Sequence, residues 1–379
     1  METISDPYRR HLFDNDSMFN VYKEETTNLS VGAPGPDLLQ YCVEMMKKAT
    51  DHRLEEEKKE GKYYLFQYGI TAGLWECREE LAKFLTRRYG DPVKRENLIL
   101  TCGASHGLQL LLNTIIAPNG IIFVEEVTYM IALDAFKQFP LMKIITVPMK
   151  NDMVDVNAFE KIVMKQKCDH NFLTNEQKIF WAMFYTIPTF HNPTGSTLLA
   201  DSEYRDGNII SNGTFSKIFS PGLRFGWMEC SPRIAKIFRQ SGILCSGGAV
   251  NHYIFGIVTS LLQLNIQDNY LDKLIQIYKE RLSILCNILD HCLPQGCSYK
   301  KPEGGYFVWI HLPLDIKGSN FIEWCQETFK VSAIPGIRFS YLEKSHNFLR
   351  LSISFHKKEI LETATRTLCK ALFNYINNV

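Results

Sequence analysis

NGTFSKIFSPGLRFGW, residues 212–227, is the stretch on which the reading turns. It holds one lysine, Lys217, with hydroxyls at Thr214 and Ser216 and a guanidinium at Arg224. A lone lysine is most often a solvated surface residue. Its neighbours change that reading, because two hydroxyls and a planar fork of N–H donors suit an anion held beside the amine. An amine next to an anion site is what a Schiff base with a phosphate-bearing aldehyde cofactor requires.

Upstream of this stretch, short apolar runs alternate with amphipathic ones. Strands are expected at NLILTC (97–102), GIIFVEE (120–126), KIITVPM (143–149) and IFWAMFYTI (179–187). Helices are expected between them at 103–117, 129–139 and 156–167. Continuous apolar strands separated by helices imply a mostly parallel sheet flanked by helices on both faces, an α/β fold. NIISNG (208–213) and RFGWMEC (224–230) add two strands around Lys217. Nearer the start, 37–50 and 73–90 read as helices, the second stopped by Gly90 and Pro92.

Past residue 251 the pattern is helical, with one long helix over 268–293. A smaller α+β domain follows, with strands at 304–312 and 348–355, a helix at 319–329 and a helical end. The expected division is 1–60 as an N-terminal arm and part of the small domain, 61–274 as the large domain, and 275–379 as the small C-terminal domain.

Composition excludes more than it identifies. The 379 residues are 45% hydrophobic and 22% charged, as in ordinary globular chains. A formal net charge of +1 gives no electrostatic case for nucleic acid or a membrane surface. The mixed-sign run LEEEKKEGK (54–62) reads as a solvated helix face. Eleven cysteines with no CxxC pair speak against a disulfide framework and a zinc site, and read as buried reduced thiols. The first twenty residues have no apolar core of the signal-peptide kind, and no apolar run reaches membrane-spanning length. A cytoplasmic location is expected, with a mitochondrial one left open.

Other residues gather around the same chemistry. In TCGASHGL (101–108), small residues sit between a strand and a helix, so Ala104 and Ser105 would offer unpaired backbone N–H groups to a phosphate. Many strand–helix turns are Gly-rich for steric reasons alone. In PTFHNPTG (188–195), Asn192 follows a strand end, where parallel sheets place ligands, and its amide can donate to a phenolate; an ordinary turn is the plain alternative. His191 reads as a loop residue. Tyr129, past the strand end of FVEEVTYM, is either half-buried filler or an aromatic plate for a flat heterocycle. Arg350 interrupts an apolar strand and needs a partner, either a substrate carboxylate or an internal acid.

Together these residues resemble the class I/II, fold-type I, pyridoxal-phosphate-dependent aminotransferases. The matching motifs are QYGITAGLWECREELAKFL, TCGASHGLQLLL, EEVTYMIAL, YTIPTFHNPTG, NGTFSKIFSPGLRFGW, PEGGYFVWI and FLRLSISF. The branch they look most like is that of the 2-aminoadipate and kynurenine aminotransferases. The resemblance implies transfer of an amino group between an amino acid and a 2-oxo acid through pyridoxal 5′-phosphate. Lys217 would form the covalent imine and then serve as the proton-transfer base. Ala104, Ser105, Thr214, Ser216 and Arg224 would hold the phosphate, Tyr129 would stack on the ring, and Asn192 would contact its O3′ oxygen. Gly32 and Arg350 would meet the substrate. Tyr68 would reach the phosphate of a second subunit, which implies a homodimer.

The chain departs from the family at one place. Between NPTG and the lysine strand, the family has a helix and a further strand, which brings an aspartate to the pyridine nitrogen and a tyrosine to O3′. Here only STLLADSEYRDG (196–207) separates Gly195 from Asn208. One central strand is therefore expected to be missing through an internal deletion. Twelve extended residues reach roughly 40 Å, so the connection can be made. Strands lie about 4.8 Å apart, so the loss opens a gap near twice that unless the sheet closes. Asp201, Tyr204 and Asp206 are the nearest substitutes, and no spacing argument places them. A non-catalytic truncated form and a lyase of the same fold stay open as alternatives.

Overall fold

The structure, a computed structural model, describes residues 26–150, 153–197, 207–248 and 251–378. Strand β1 (Thr27–Asn28) leads to helix α1 (Pro36–Glu60) and helix α2 (Trp75–Tyr89). Pro36 at the first helical position and left-handed Gly61 at the end bound α1, and left-handed Gly90 ends α2. Alternation then begins with β2 (Leu98–Thr101), α3 (Ala104–Thr114), β3 (Ile116–Glu125), α4 (Met130–Phe136) and β4 (Lys143–Val147). It continues through α5 (Val156–Asp169), β5 (Phe180–Tyr185), β6 (Ser211–Thr214) and β7 (Gly226–Glu229). Helices α6 (Pro232–Arg239), α7 (His252–Gln263) and α8 (Ile266–Cys292) follow. The C-terminal part holds β8 (Ser298–Tyr299), β9 (Phe307–His311), α9 (Gly318–Phe329), β10 (Val331–Ser332), β11 (Ile334–Pro335), β12 (Phe348–Ser352) and α10 (Lys358–Asn378).

Strands β4, β3 and β5 form a parallel sheet in that order. Strands β2, β7 and β6 form a second sheet whose pairings are both antiparallel. Because β7 alone runs against both its neighbours, β2 and β6 are parallel to each other, in keeping with the mostly parallel arrangement expected. Thr214 and Gly226 are joined by a turn through Pro221–Leu223, closed by a 3.0 Å bond from the Phe215 amide to the Phe225 carbonyl. The chain therefore doubles back, and β7 inserts between β6 and β2. Among the described residues β5 pairs only with β3, β6 pairs only with β7, and no strand bridges them. All six residues of β5 are half-buried, unlike the fully buried end of β3 beside it. Residues 198–206, with most of the short connection and with Asp201, Tyr204 and Asp206, lie outside the described residues.

Phenylalanines pin the Lys217 segment. Phe215, Phe219 and Phe225 are fully buried, and Phe215 meets Phe225 and Phe84 edge-on at 4.7 and 5.8 Å. Each such side chain contributes about 2–3 kcal/mol on burial. With Phe215 and Phe219 turned inward, Lys217 between them opens to the cleft.

Several boundaries differ from expectation. The helix expected over 103–117 stops at Thr114, because β3 begins at Ile116 and shifts register before Ile121. The helical stretch beyond 251 breaks between α7 and α8 at Asn265, whose φ is 53°. The charged run continues α1, and one of its acids is not solvated: Glu57 is buried against Arg53. Of the eleven cysteines, all unpaired, Cys168 and Cys245 are exposed rather than buried. Among the described residues no helix is long and apolar enough to cross a membrane.

Candidate active site

An anion cradle forms where the two ends of the antiparallel sheet meet α3. Gly103 turns the chain from β2 into α3 at φ 85°. A Cβ there would lie 2.6 Å from Arg224 Nη2, so a side chain would displace the guanidinium and strain the positive φ. No side chain caps α3, which leaves the first amides, those of Ala104 and Ser105, open to an anion. Asn212 Nδ2 donates to the Ala104 carbonyl at 2.8 Å and ties the helix start to β6. The Thr214 and Ser216 hydroxyls lie 2.9 Å apart, and Arg224 Nη1 donates to Ser216 Oγ at 3.3 Å. Arg224 Nη2 donates to the Cys102 carbonyl at 3.3 Å, closing the ring of donors.

Lys217 stands beside this cradle. Its Nζ donates to the Gly32 carbonyl, and Tyr306 Oη donates to the carbonyl of Lys217 itself. Burial first, then the Arg350 and Arg224 cations, push the amine down to about 8. The residue keeps accessible surface because the site is an open cleft, while the depth of protein around the amine desolvates it. A lysine so depressed supplies a sizeable neutral, nucleophilic fraction near neutral pH.

Arg350 on β12 is buried and lies across from Trp309 on β9. Burial pulls its pKa down to about 9. Its Nη1 donates to Asn192 Oδ1 at 2.7 Å, and its Nη2 donates to the Ser30 carbonyl. The guanidinium lies over Phe307 at 4.1 Å and Phe339 at 4.9 Å. Its Nε is buried without an acceptor. Gly32 leaves the room that the Phe307 ring occupies, since a Cβ there would meet the ring at 2.4 Å. Tyr129, the residue before α4, feels both Arg350 and Arg224, although burial raises its phenol overall. Among the described residues no carboxylate pairs with Lys217, Arg224 or Arg350. Three cations without a counter-charge call for an anionic ligand.

The family described as Aminotransferase class I and II matches residues 24–202 and 197–368, two stretches that overlap near the short connection. The chain belongs to this family. It is 28% identical over 391 residues to the aromatic-amino-acid aminotransferase 1 of Thermococcus litoralis, covering 93% of this chain and 89% of that protein. It is 25% identical to the 2-aminoadipate transaminase of Thermus thermophilus, covering 90% and 88%. The kynurenine aminotransferase of Pyrococcus horikoshii, solved with PMP, superposes with a TM-score of 0.77 at 25% identity, covering 94% and 93%. The fold is that of the fold-type I enzymes, and the cofactor of this aminotransferase is pyridoxal 5′-phosphate.

The residues present fit that group. The cradle offers helix amides, two hydroxyls and a guanidinium to a phosphate, and the Arg350 Nε is buried without an acceptor. Lys217, Gly32, Arg350 and Asn192 are linked by hydrogen bonds or shared neighbours, and so are Thr214, Ser216, Arg224 and Ala104. Ser105 is exposed on the first turn of α3. Tyr68 is not brought to the cluster: it is 82% exposed and packs beside Gly247. Among the described residues Asn192 and Ser30, not an internal acid, hold the Nη groups of Arg350. His191 lies in a loop as expected, but it is buried there, 2.8 Å from Glu125. Tyr306 was missed as well; its only sequence signal is the position beside Gly305 at the head of β9.

Proposed function

We propose that this aminotransferase acts on amino acids with large side chains, aromatic, kynurenine or 2-aminoadipate, paired with a 2-oxo acid. The names of the three compared proteins support that range, and the single observation that carries the chemistry is the depressed Lys217 amine between Arg224 and Arg350. When bound, pyridoxal phosphate supplies an electron sink for a substrate carbanion. This chain's residues do the rest. Arg350 would grip the α-carboxylate with its free Nε while its Nη groups stay braced on Asn192 and Ser30. Because Asn192 spends its oxygen on Arg350, its amide N–H₂ is left to donate to the phenolate oxygen of the ring. Ala104, Ser105, Thr214, Ser216 and Arg224 would hold the phosphate, and Tyr129 would stack on the ring. Lys217, neutral above about pH 8, would take the proton from the substrate Cα and return it.

A homodimer is part of this reading. Tyr63, Tyr64, Phe66, Tyr68 and Ile70 are all more than half exposed, four aromatics and an isoleucine that a second copy would cover. Tyr68 would then face the partner's phosphate. A cytoplasmic site of action accompanies it.

The unpaired edges of β5 and β6 favour a second reading, a chain that holds the cofactor through Lys217 but turns over slowly. Absorbance spectra of the wild type and Lys217→Ala with added pyridoxal phosphate test both readings. A lysine-dependent yellow band that shifts with amino acid and is followed by 2-oxo acid release supports the first. A band without product supports the second. No lysine-dependent band overturns the assigned site.

A further inference from the structure

A buried polar chain crosses from β3 to the loop that carries Asn192. Glu125, the last residue of β3, and His191 have side chains 3% and 6% exposed, with Oε2 and Nε2 2.8 Å apart in a contact off the line of a straight hydrogen bond. Thr186 Oγ1 donates to Glu125 Oε1 at 2.9 Å. On the other side, His191 Nδ1 meets Thr194 Oγ1 at 2.9 Å, and Thr194 Oγ1 meets Ser196 Oγ at 2.7 Å. The His191 amide donates to the Ser196 carbonyl at 2.7 Å.

Two further observations say why this pair matters. The loop enters through Phe190 at φ 50°, a left-handed conformation that a non-glycine residue keeps only when its surroundings hold it there. The loop also borders a cavity of about 700 Å³ lined by Glu125, His191, Thr194, Trp309 and Phe348, so packing does not fix it on that side. Polar contacts must do so. Glu125 stands four residues before Tyr129 and His191 stands one before Asn192, so one contact ties together the two segments that carry ring-facing residues.

The geometry points to Glu125 and His191 as positioning residues that set Asn192 against Arg350 and register the Tyr129 turn with it. This rests on the reading of the site as the pyridoxal-phosphate site, and it adds two residues that touch neither the cofactor nor the substrate. Their task is to hold the side of the loop that borders the cavity.

Amide hydrogen exchange on the cofactor-free chain tests the clamp, alongside pyridoxal-phosphate affinity read from the Lys217-dependent band. Glu125→Gln keeps the shape, and His191→Leu removes the polar contacts. Each is expected to speed exchange about tenfold in peptides covering 186–197 and 125–130, leaving 214–226 unchanged. Each is also expected to weaken cofactor affinity about tenfold, with the double variant no worse than either single one. A drop in Tm with uniformly faster exchange and unchanged affinity would mean that the pair only fills the fold, and the proposal would fall. Unchanged exchange at 186–197 would overturn it too. If the wild type shows no Lys217-dependent band, the site reading fails separately, and exchange still decides the clamp. Should His191→Leu fail to fold, Glu125→Gln and His191→Gln carry the same comparison.

Discussion

At the scale of single residues, charge burial sets the chemistry. An unfolded lysine keeps its proton to about pH 10, whereas folded Lys217 gives it up near 8. Between these values the unfolded chain binds more protons, so stability rises with pH across that window; below it the cost of burying the cation is constant. Lys217→Met is therefore expected to raise the Tm near neutral pH, with the gain shrinking as pH climbs from about 8 to 10. A series of thermal melts checks this, and a lowered Tm at neutral pH would contradict a desolvated amine. Arg350→Lys loses the fork and the orphaned Nε. It is expected to raise the KM for the amino acid by roughly 30- to 150-fold, about 2–3 kcal/mol, with cofactor affinity little changed. Steady-state kinetics beside a cofactor titration would show the split.

Among elements, the β2–α3 turn and the β6–β7 return have to fit each other. Gly103 lies against Arg224, and a Cβ on Gly226 would come within 2.7 Å of the Gly103 Cα. Gly103→Ala strains a left-handed position and displaces the Arg224 guanidinium at once. It is expected to destabilise the fold by about 1–3 kcal/mol in urea unfolding and to weaken binding of inorganic phosphate. A variant as stable and as phosphate-binding as the wild type would show that the cradle tolerates a side chain. The Lys217 backbone is held in place as well: buried Phe215 and Phe219 flank it, and Tyr306, just before β9, donates to its carbonyl.

At the scale of the whole molecule, the dimer proposed above makes Tyr68 and the lysine site partners across two chains. Each chain's Tyr68 faces outward with 82% exposure, while its own cluster carries three unneutralised cations. If Tyr68 serves the partner's site, Lys217→Ala and Tyr68→Ala chains complement each other. Each mixed dimer then contains one intact site. Equal mixtures, unfolded and refolded together, are expected to recover roughly a quarter of wild-type activity, above either variant alone. No recovery would remove Tyr68 from the partner's site. Among the described residues β5 and β6 are unpaired toward each other, and near-attack geometry is sensitive to shifts of an ångström, so turnover rate is set at this scale.

Lys217, its hydroxyl and guanidinium neighbours, the Gly103 turn and Arg350 were legible in the sequence. Their residue types carry local physics: a glycine before an uncapped helix, an arginine inside an apolar strand, a lysine between buried phenylalanines. The alternation of strands and helices was legible for the same reason, because apolar periodicity follows from which faces are buried. Helix ends near Ile115 and the break at Asn265 were not, since neighbouring strands and packing decide them. Only the tertiary structure decided the rest. The antiparallel return of β7 depends on a turn closing between Phe215 and Phe225. The Glu125–His191 contact joins residues 66 positions apart. The depression of Lys217 comes first from burial and then from Arg350 and Arg224, and both causes exist only in the folded chain. Distance along a chain says nothing of distance in space, and desolvation and charge act only through the latter.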